Sequence, residues 1–142
     1  MRLLLLALAG LGAAAPAAGA TLVVRAEGVA AAAGEIRVAV CNRSFDEAGC
    51  PLGGSRAPGG AVEELVFDGL EPGRYAVAAY HDANGNGRLD TIPPGLPTEP
   101  YGFSNDVGRL RPPDFDAALV EVGAGRTVVV VRIRPLLGLP GG

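Results

Sequence analysis

A loop of alternating oxygen-bearing side chains offers the clearest chemistry in this sequence. The nine residues that begin at Asp82 read Asp-Ala-Asn-Gly-Asn-Gly-Arg-Leu-Asp. In the twelve-position convention of calcium loops, the odd positions supply ligands and a glycine at position six turns the chain, which here is Gly87. Positions one, three, five, seven and nine fall on Asp82, Asn84, Asn86, Arg88 and Asp90. The spacing predicts a calcium-type loop, in which Arg88 contributes its backbone carbonyl.

The loop lacks its twelfth ligand, because Pro93 stands where a helix-loop-helix site has a bidentate glutamate. Glu99 and Asp106, in the connection that follows, are the candidates to complete the shell. Only two side chains of the loop carry negative charge, so we expect a weak site of the extracellular class, with a Kd of about 10⁻⁴ to 10⁻³ M. The alternative is that Asp, Asn and Gly form turns without binding an ion.

His81 is the single histidine of the chain, so any histidine-dependent chemistry must use it. The alternative to a binding or structural module is a small ligand-binding protein or hydrolase whose site lies between loops 82–90 and 98–106. Such a hydrolase would combine His81 with Glu99 and Ser104. No nucleophile-elbow sequence surrounds Ser104, and we therefore predict no catalytic residue and no enzymatic activity.

The amino terminus has the pattern of a signal peptide. Arg2 precedes an apolar run at residues 3–14, and small residues end the segment at Ala20. The run is shorter than the roughly twenty apolar residues that a transmembrane helix needs, so we expect export and no membrane-spanning segment. We predict cleavage after Ala20, a domain at residues 21–134 and a flexible tail at residues 135–142. The predicted location is periplasmic or extracellular.

Charge and cysteine content narrow the class of protein further. The net charge of −3 becomes −4 once Arg2 is removed, which gives no nucleic-acid signature. Cys41 and Cys50 are the only cysteines, and in an oxidising compartment they are expected to form a disulfide. A redox or metal pair is the weaker alternative, because the spacing is not Cys-x-x-Cys.

Six segments read as β-strands, and none of the mature chain has helical periodicity over ten residues. The segments are residues 22–27, 36–41, 62–67, a stretch that begins at Tyr75, 115–122 and 127–133. We predict an all-β fold, a single antiparallel β-sandwich of about six to seven strands with a long irregular loop at one end. The apolar run at residues 128–131 predicts that the last strand lies centrally in its sheet.

Two connections are expected to lack regular structure. Residues 51–60 are Pro, Gly, Ser, Arg and Ala apart from Leu52, and we expect them to be exposed. Between Asp90 and Asp114 no strand or helix pattern is present, although Tyr101 and Phe103 favour a loop that packs down over one end of the sandwich.

A succession of three motifs gives a family resemblance. They are the Leu-Glu-Pro-Gly-Arg-Tyr turn at residues 70–75, His-Asp with the Asn-Gly-Asn-Gly loop at residues 81–90, and Gly-Leu-Pro-Thr-Glu-Pro-Tyr-Gly-Phe-Ser-Asn at residues 95–105. In this order the chain resembles an uncharacterised bacterial secreted family, domain-of-unknown-function family 2141. The turn is also similar to those of transthyretin-like and collagen-adhesin B-type sandwich modules. These resemblances imply a fold and a leader, but no activity.

The sequence thus favours a secreted, non-catalytic β-sandwich module with one disulfide and one calcium-type loop. Its partner is expected to be a protein or another component of the cell envelope, and the sequence does not identify it.

Overall fold

The chain folds into strands, with one short α-helix and two 3₁₀ turns among the residues that the structure describes. The structure is a computed structural model that describes residues 19–136. Its strands are β1 (Ala20–Glu27), β2 (Glu35–Cys41), β3 (Leu52–Arg56), β4 (Val62–Leu70), β5 (Gly73–Asp82), β6 (Thr91–Ile92), β7 (Leu96–Pro97), β8 (Tyr101–Phe103), β9 (Val120–Val122) and β10 (Arg126–Arg132). The helix, α1, is Phe115–Ala118.

Most of the predicted signal peptide and of the predicted tail lie outside the described residues. β1 begins at Ala20, one residue before the predicted mature amino terminus.

Two main sheets build the sandwich. One has three strands in the order β10-β1-β4, and the other has β3-β2-β5-β8, with β9 paired to a further part of β5. The pairs are antiparallel except for β1 with β10, which run parallel. β6 and β7 form a separate two-stranded hairpin. The predicted all-β sandwich is therefore confirmed.

The core lies between the two main sheets and follows the period-two alternation of the strands. Ile36, Val38 and Val40 of β2 face inward, as their alternation predicted. Val77 and Ala79 of β5 lie beside them, and Leu22 and Val24 enter from β1. All are buried, so that the burial of apolar surface, at about 25 cal/mol per Å², holds the sheets together.

The prediction that residues 51–60 form an exposed connection was wrong in part. Residues Leu52–Arg56 form β3, which pairs antiparallel with β2 along the edge of the larger sheet. Its sequence, Leu-Gly-Gly-Ser-Arg, has low strand propensity, but the pairing uses backbone groups that glycine also possesses.

The last strand does not lie centrally. β10 is at the end of its sheet, and Val128 and Val130 are substantially exposed on the outer face. The far side of β10 is partly covered by β8, since Tyr101 pairs with Arg134 just beyond the strand. A Cβ on Gly102 would lie 2.1 Å from the carbonyl oxygen of Arg132, so the close approach of β8 to β10 requires glycine here.

The segment predicted as one strand at residues 115–122 divides into α1 and β9. The side chain of Asp114 accepts a hydrogen bond from the amide of Ala117, which caps α1 at its amino end. The connection between Asp90 and Asp114 is likewise more regular than predicted, because it contains β6, β7 and β8. Tyr101 and Phe103 were expected in a loop that packs over one end of the sandwich, but they lie in β8, which pairs with β5 as a strand of the larger sheet.

Cys41 and Cys50 form a disulfide bond, as expected. It closes the connection from β2 to β3, which contains a 3₁₀ turn at Glu47–Gly49 capped by Asp46. Around the disulfide, Ala76 and Ala118 form a second small core cluster on the outer face of the larger sheet. This cluster attaches α1 to the sandwich.

Candidate functional site

Strand β5 ends with His81 and Asp82, whose side chains point to opposite faces of the larger sheet. His81 follows Val77 and Ala79 in the alternation that faces the core, whereas Asp82 belongs to the opposite face with Tyr80. Both are buried. The loop predicted to bind calcium therefore begins on the outer face, away from His81.

The Asp82 carboxylate organises the start of the loop. Its Oδ1 accepts a hydrogen bond from the backbone amide of Asn86 at 3.1 Å, and its Oδ2 accepts one from the amide of Gly87 at 2.8 Å. Nε of Arg37, on β2, donates to Oδ2 at 2.8 Å. Burial raises the Asp82 pKa, but the hydrogen bonds from Arg37, Gly87 and Asn86 together outweigh it and hold the pKa below its ordinary value.

Three further side chains of the loop meet opposite Asp82. Nδ2 of Asn84 donates to Oδ2 of Asp90, and Nδ2 of Asn86 donates to its Oδ1, each at 2.7 Å. Oδ1 of Asn84 accepts from the same Asn86 amide that binds Asp82, at 3.2 Å. The side chains of Asn84, Asn86 and Asp90 thus meet one another, and Asp82 is linked to them through the shared amide of Asn86.

Arg88 takes part mainly through its backbone. Its amide donates to Oδ1 of Asn86 at 3.1 Å, and its exposed guanidinium lies 3.9 Å from Oδ1 of Asp90. The positive charge of Arg88 therefore lies next to the Asp90 carboxylate.

Glu99, which lies outside the loop, accepts hydrogen bonds from two of its backbone amides. Its Oε1 accepts from the amide of Ala83 at 3.1 Å, and its Oε2 accepts from the amide of Asp90 at 3.0 Å. The buried Glu99 carboxylate therefore joins the first and last parts of the loop. If it bound an ion as well, its oxygens would be shared between the ion and these two amides.

The structure does not bring Asp106 to the loop. β8 runs antiparallel to β5, with Tyr101 opposite Tyr80 and Phe103 opposite Ala78, so residues after β8 lie progressively farther from Asp82. Asp106 instead pairs with Arg134, and its Oδ1 lies 3.8 Å from Nε of Arg109. The hydrogen bond from Arg134 lowers the Asp106 pKa.

The residues of the hydrolase alternative do not converge. His81 donates from Nε2 to the carbonyl oxygen of Ala33 at 2.6 Å. Ser104 is fully buried, accepts from the amide of Val77 at 2.9 Å and donates to the carbonyl oxygen of Ala118 at 2.6 Å. Because Val77 lies four residues from His81 on β5, about 13 Å of strand separates the hydroxyl from the imidazole.

The donor set of the loop consists of hard oxygen ligands, which suit calcium, but few of them are charged. Within residues 19–136, no group of three or more His, Cys, Asp or Glu side chains is arranged around a common point. Any ion at the loop would therefore depend on the Asn84 and Asn86 side chains. A half-turn of each amide would present its oxygen to the centre in place of its nitrogen.

A groove on the outer face of the larger sheet lies beside the loop, and sequence reasoning missed it. It has a volume of about 540 Å³, and Gly87 and Leu89 of the loop form part of its wall. Ala39 and Ala78 form its floor, and Arg37 lies at its rim. The sequence signal that could have found it is the pair of small residues on the outward face of two strands.

The described residues contain no helix long and apolar enough to cross a membrane. Comparison with known proteins found no match among the curated proteins or among the solved structures. A family model described as an uncharacterized protein conserved in bacteria matches residues 24–130, a range that includes both main sheets and the loop. The chain belongs to this family, DUF2141.

Proposed function

We propose that the protein is an exported, non-catalytic β-sandwich module, periplasmic or extracellular, whose loop at residues 82–90 binds calcium weakly. The observation that carries the proposal is that the Asn84 and Asn86 side chains meet at the Asp90 carboxylate, while Asp82 and Asn84 share the backbone amide of Asn86. The contacts between side chains go beyond the local side chain-to-backbone hydrogen bonds that Asp and Asn form in a simple surface turn.

The affinity should be low, because the ion must compete with interactions inside the loop. Oδ2 of Asp82 already accepts from Arg37 and from the amide of Gly87, and Oδ1 accepts from the amide of Asn86, so both oxygens are engaged before an ion binds. Asp90 must exchange two amide hydrogen bonds for the ion. A Kd of about 10⁻³ M, typical of extracellular modules, fits this competition.

Thermal unfolding of the purified protein with 10 mM calcium, and separately with a chelator, tests the proposal. At a Kd of about 10⁻³ M the ion would stabilise the fold by about 1.4 kcal/mol. With an unfolding entropy of about 2.1 cal/mol/K per residue, this raises the Tm by roughly 5 °C for a domain of this size. Asp90→Asn should abolish the shift.

Glu121→Gln is the matched control, because Glu121 is an exposed carboxylate on β9, away from the loop. It should keep the full calcium shift. Superimposable curves with calcium and chelator would remove the ion from the proposal. An equal shift in Asp90→Asn would move the ion to another site.

The hydrogen bonds of the candidate residues support a non-catalytic role. Ser104 and Glu99 are both occupied with backbone groups, and the Ser104 hydroxyl is far from His81. These contacts favour a module over a hydrolase. A different observation favours the ligand-binding alternative. The groove is lined by both Leu89 and Phe103, and it therefore lies between loops 82–90 and 98–106.

Export is supported by the disulfide of Cys41 and Cys50, since such bonds persist in oxidising compartments. Mass spectrometry of the protein isolated from a bacterial envelope tests it. A mature chain that begins at Thr21 is the expected result, and an intact amino terminus in the cytoplasm would contradict it.

A further inference from the structure

The groove beside the loop owes its shape to small residues in three neighbouring strands. Ala39 pairs with Gly53 on one side and with Ala78 on the other, so the three form one row across the outer face. Three adjacent strands span about 10 Å, which is enough for two fused rings. The row is a floor from which no side chain extends beyond Cβ.

Larger side chains enclose this floor. Phe103 follows Ala78 in the same row on β8, and its ring lies 4.8 Å from that of Phe45, centroid to centroid. Arg37, Tyr80 and Leu89 rise along one side. The resulting volume of about 540 Å³ lies within the range of small-molecule sites.

The charges around the groove are already paired. Among residues 19–136, Arg37 is the only charged side chain that lines it, and its guanidinium binds Asp82 at 2.8 Å and Glu35 at 2.9 Å. An anionic ligand would therefore have to compete with two carboxylates. A cationic ligand would find no carboxylate among the lining residues. An uncharged ligand leaves every ion pair intact.

We propose that this groove binds an uncharged, flat and largely apolar small molecule, which lies on the floor formed by Ala39, Ala78 and Gly53. The rings of Tyr80 and Phe103 bound the ligand, and the hydroxyl groups of Ser55 and Tyr80 are available to orient a polar substituent. This inference deepens the ligand-binding alternative and does not depend on calcium at the loop.

A matched pair of dyes tests both the place and the class. N-phenyl-1-naphthylamine is uncharged, and 1-anilinonaphthalene-8-sulfonate carries a sulfonate on the same aromatic framework. Fluorescence titration of the purified protein, in the presence of chelator, should give saturable one-to-one binding of the uncharged dye. The anionic dye should bind at least about tenfold more weakly.

Variants then locate the dye. Ala78→Leu fills the floor and should weaken binding by about tenfold or more. Ser55→Phe, at an exposed position of β3, should obstruct the open end with little risk to folding, which circular dichroism and thermal unfolding check. Val66→Ser is the matched control, because it changes an apolar patch on the other sheet and not the groove. In that patch Val66 and Val128 lie on either side of Val23, in register with it, and both are exposed on the outer face.

The outcomes separate clearly. Loss of binding in Ala78→Leu and Ser55→Phe, with none in Val66→Ser, would support the site. Loss in Val66→Ser alone would place the dye on the valine face and overturn the proposal. Equal affinity for the two dyes would overturn the uncharged class, and no saturable binding of the uncharged dye would overturn the site itself. None of these results bears on the calcium-dependent shift in Tm, so the two proposals fail separately.

Discussion

The most informative perturbation of this fold is Asp82→Asn. The substitution conserves shape but removes the charge and replaces one carboxylate oxygen with an NH₂ group. In the wild type, three N–H donors point at the carboxylate, from Arg37, Gly87 and Asn86. In either orientation of the new amide, at least one donor faces another donor inside a fully buried site.

The cost follows from these contacts. A buried amide left without an acceptor costs about 1 to 3 kcal/mol, and a hydrogen bond to a charged group is worth about 1.5 to 3 kcal/mol. Since Arg37 is about one-third exposed, water compensates part of its loss, and its contribution belongs at the lower end. We expect a destabilisation of about 2 to 3 kcal/mol, which corresponds to a Tm lower by roughly 8 to 12 °C.

Urea unfolding in the presence of chelator measures this cost without any contribution from calcium. Asp90→Asn is the control, because it makes the same chemical change within the same loop at a more exposed position, and it should cost about 1 kcal/mol or less. Equal free energies of unfolding for Asp82→Asn and Asp90→Asn would refute the argument that Asp82 holds the loop to β2.

Two further outcomes are expected. The free energy of unfolding should fall in acid, because Asp82 and Asp106 have folded-state pKa values below their ordinary ones. The two carboxylates contribute fully to stability above the unfolded-state pKa of about 3.9. That contribution is lost as the pH falls through the folded-state values. Urea unfolding between pH 7 and pH 2 checks this, and Asp106→Asn should make the acid slope shallower; an unchanged slope would exclude Asp106 as a cause. Ser104→Ala should destabilise the fold by about 2 kcal/mol, since it leaves the amide of Val77 and the carbonyl of Ala118 unpaired. The control Ser55→Ala, at an exposed position, should change stability little. An unchanged Tm for Ser104→Ala in thermal unfolding would contradict the structural role of that hydroxyl.

The sequence predicted the parts of the fold that side-chain patterning controls. The alternation of Ile36, Val38 and Val40 placed β2 correctly, because a local period determines the direction in which side chains point. The calcium-type loop at residues 82–90 stays a prediction. In the structure the amide nitrogen of Asn84, and not its oxygen, faces the Asp90 carboxylate.

The errors arose where backbone pairing or a single contact decides the structure. β3 contains Gly53 and Gly54, which carry no side chain whose pattern could be read. A single cap by Asp114 converts residues 115–118 into a helix. β10 lies at the edge because it pairs with β1 alone within its sheet. The apolar run around Val128 does not determine how many strands pair with β10.

The candidate site was harder to predict than the fold because it combines distant segments. Arg37 is separated from Asp82 by more than forty residues, yet it restrains both the loop and the rim of the groove. Glu99 was a candidate to complete an ion shell, and spacing gave no sign that its carboxylate accepts from the amides of Ala83 and Asp90. Tertiary partners of this kind cannot be inferred from spacing alone.

The parallel pairing of β1 with β10 has a consequence for the order of folding. Thr21 is aligned with Arg126, so the smaller sheet joins segments from opposite ends of the domain. Closing a loop of about a hundred residues costs roughly 4 kcal/mol of chain entropy beyond the constant term. The hairpins of the larger sheet can form as soon as their own segments have emerged, but β1 acquires its second neighbour only when residues 126–132 are present. A nascent chain therefore remains open along one side until its final segment emerges.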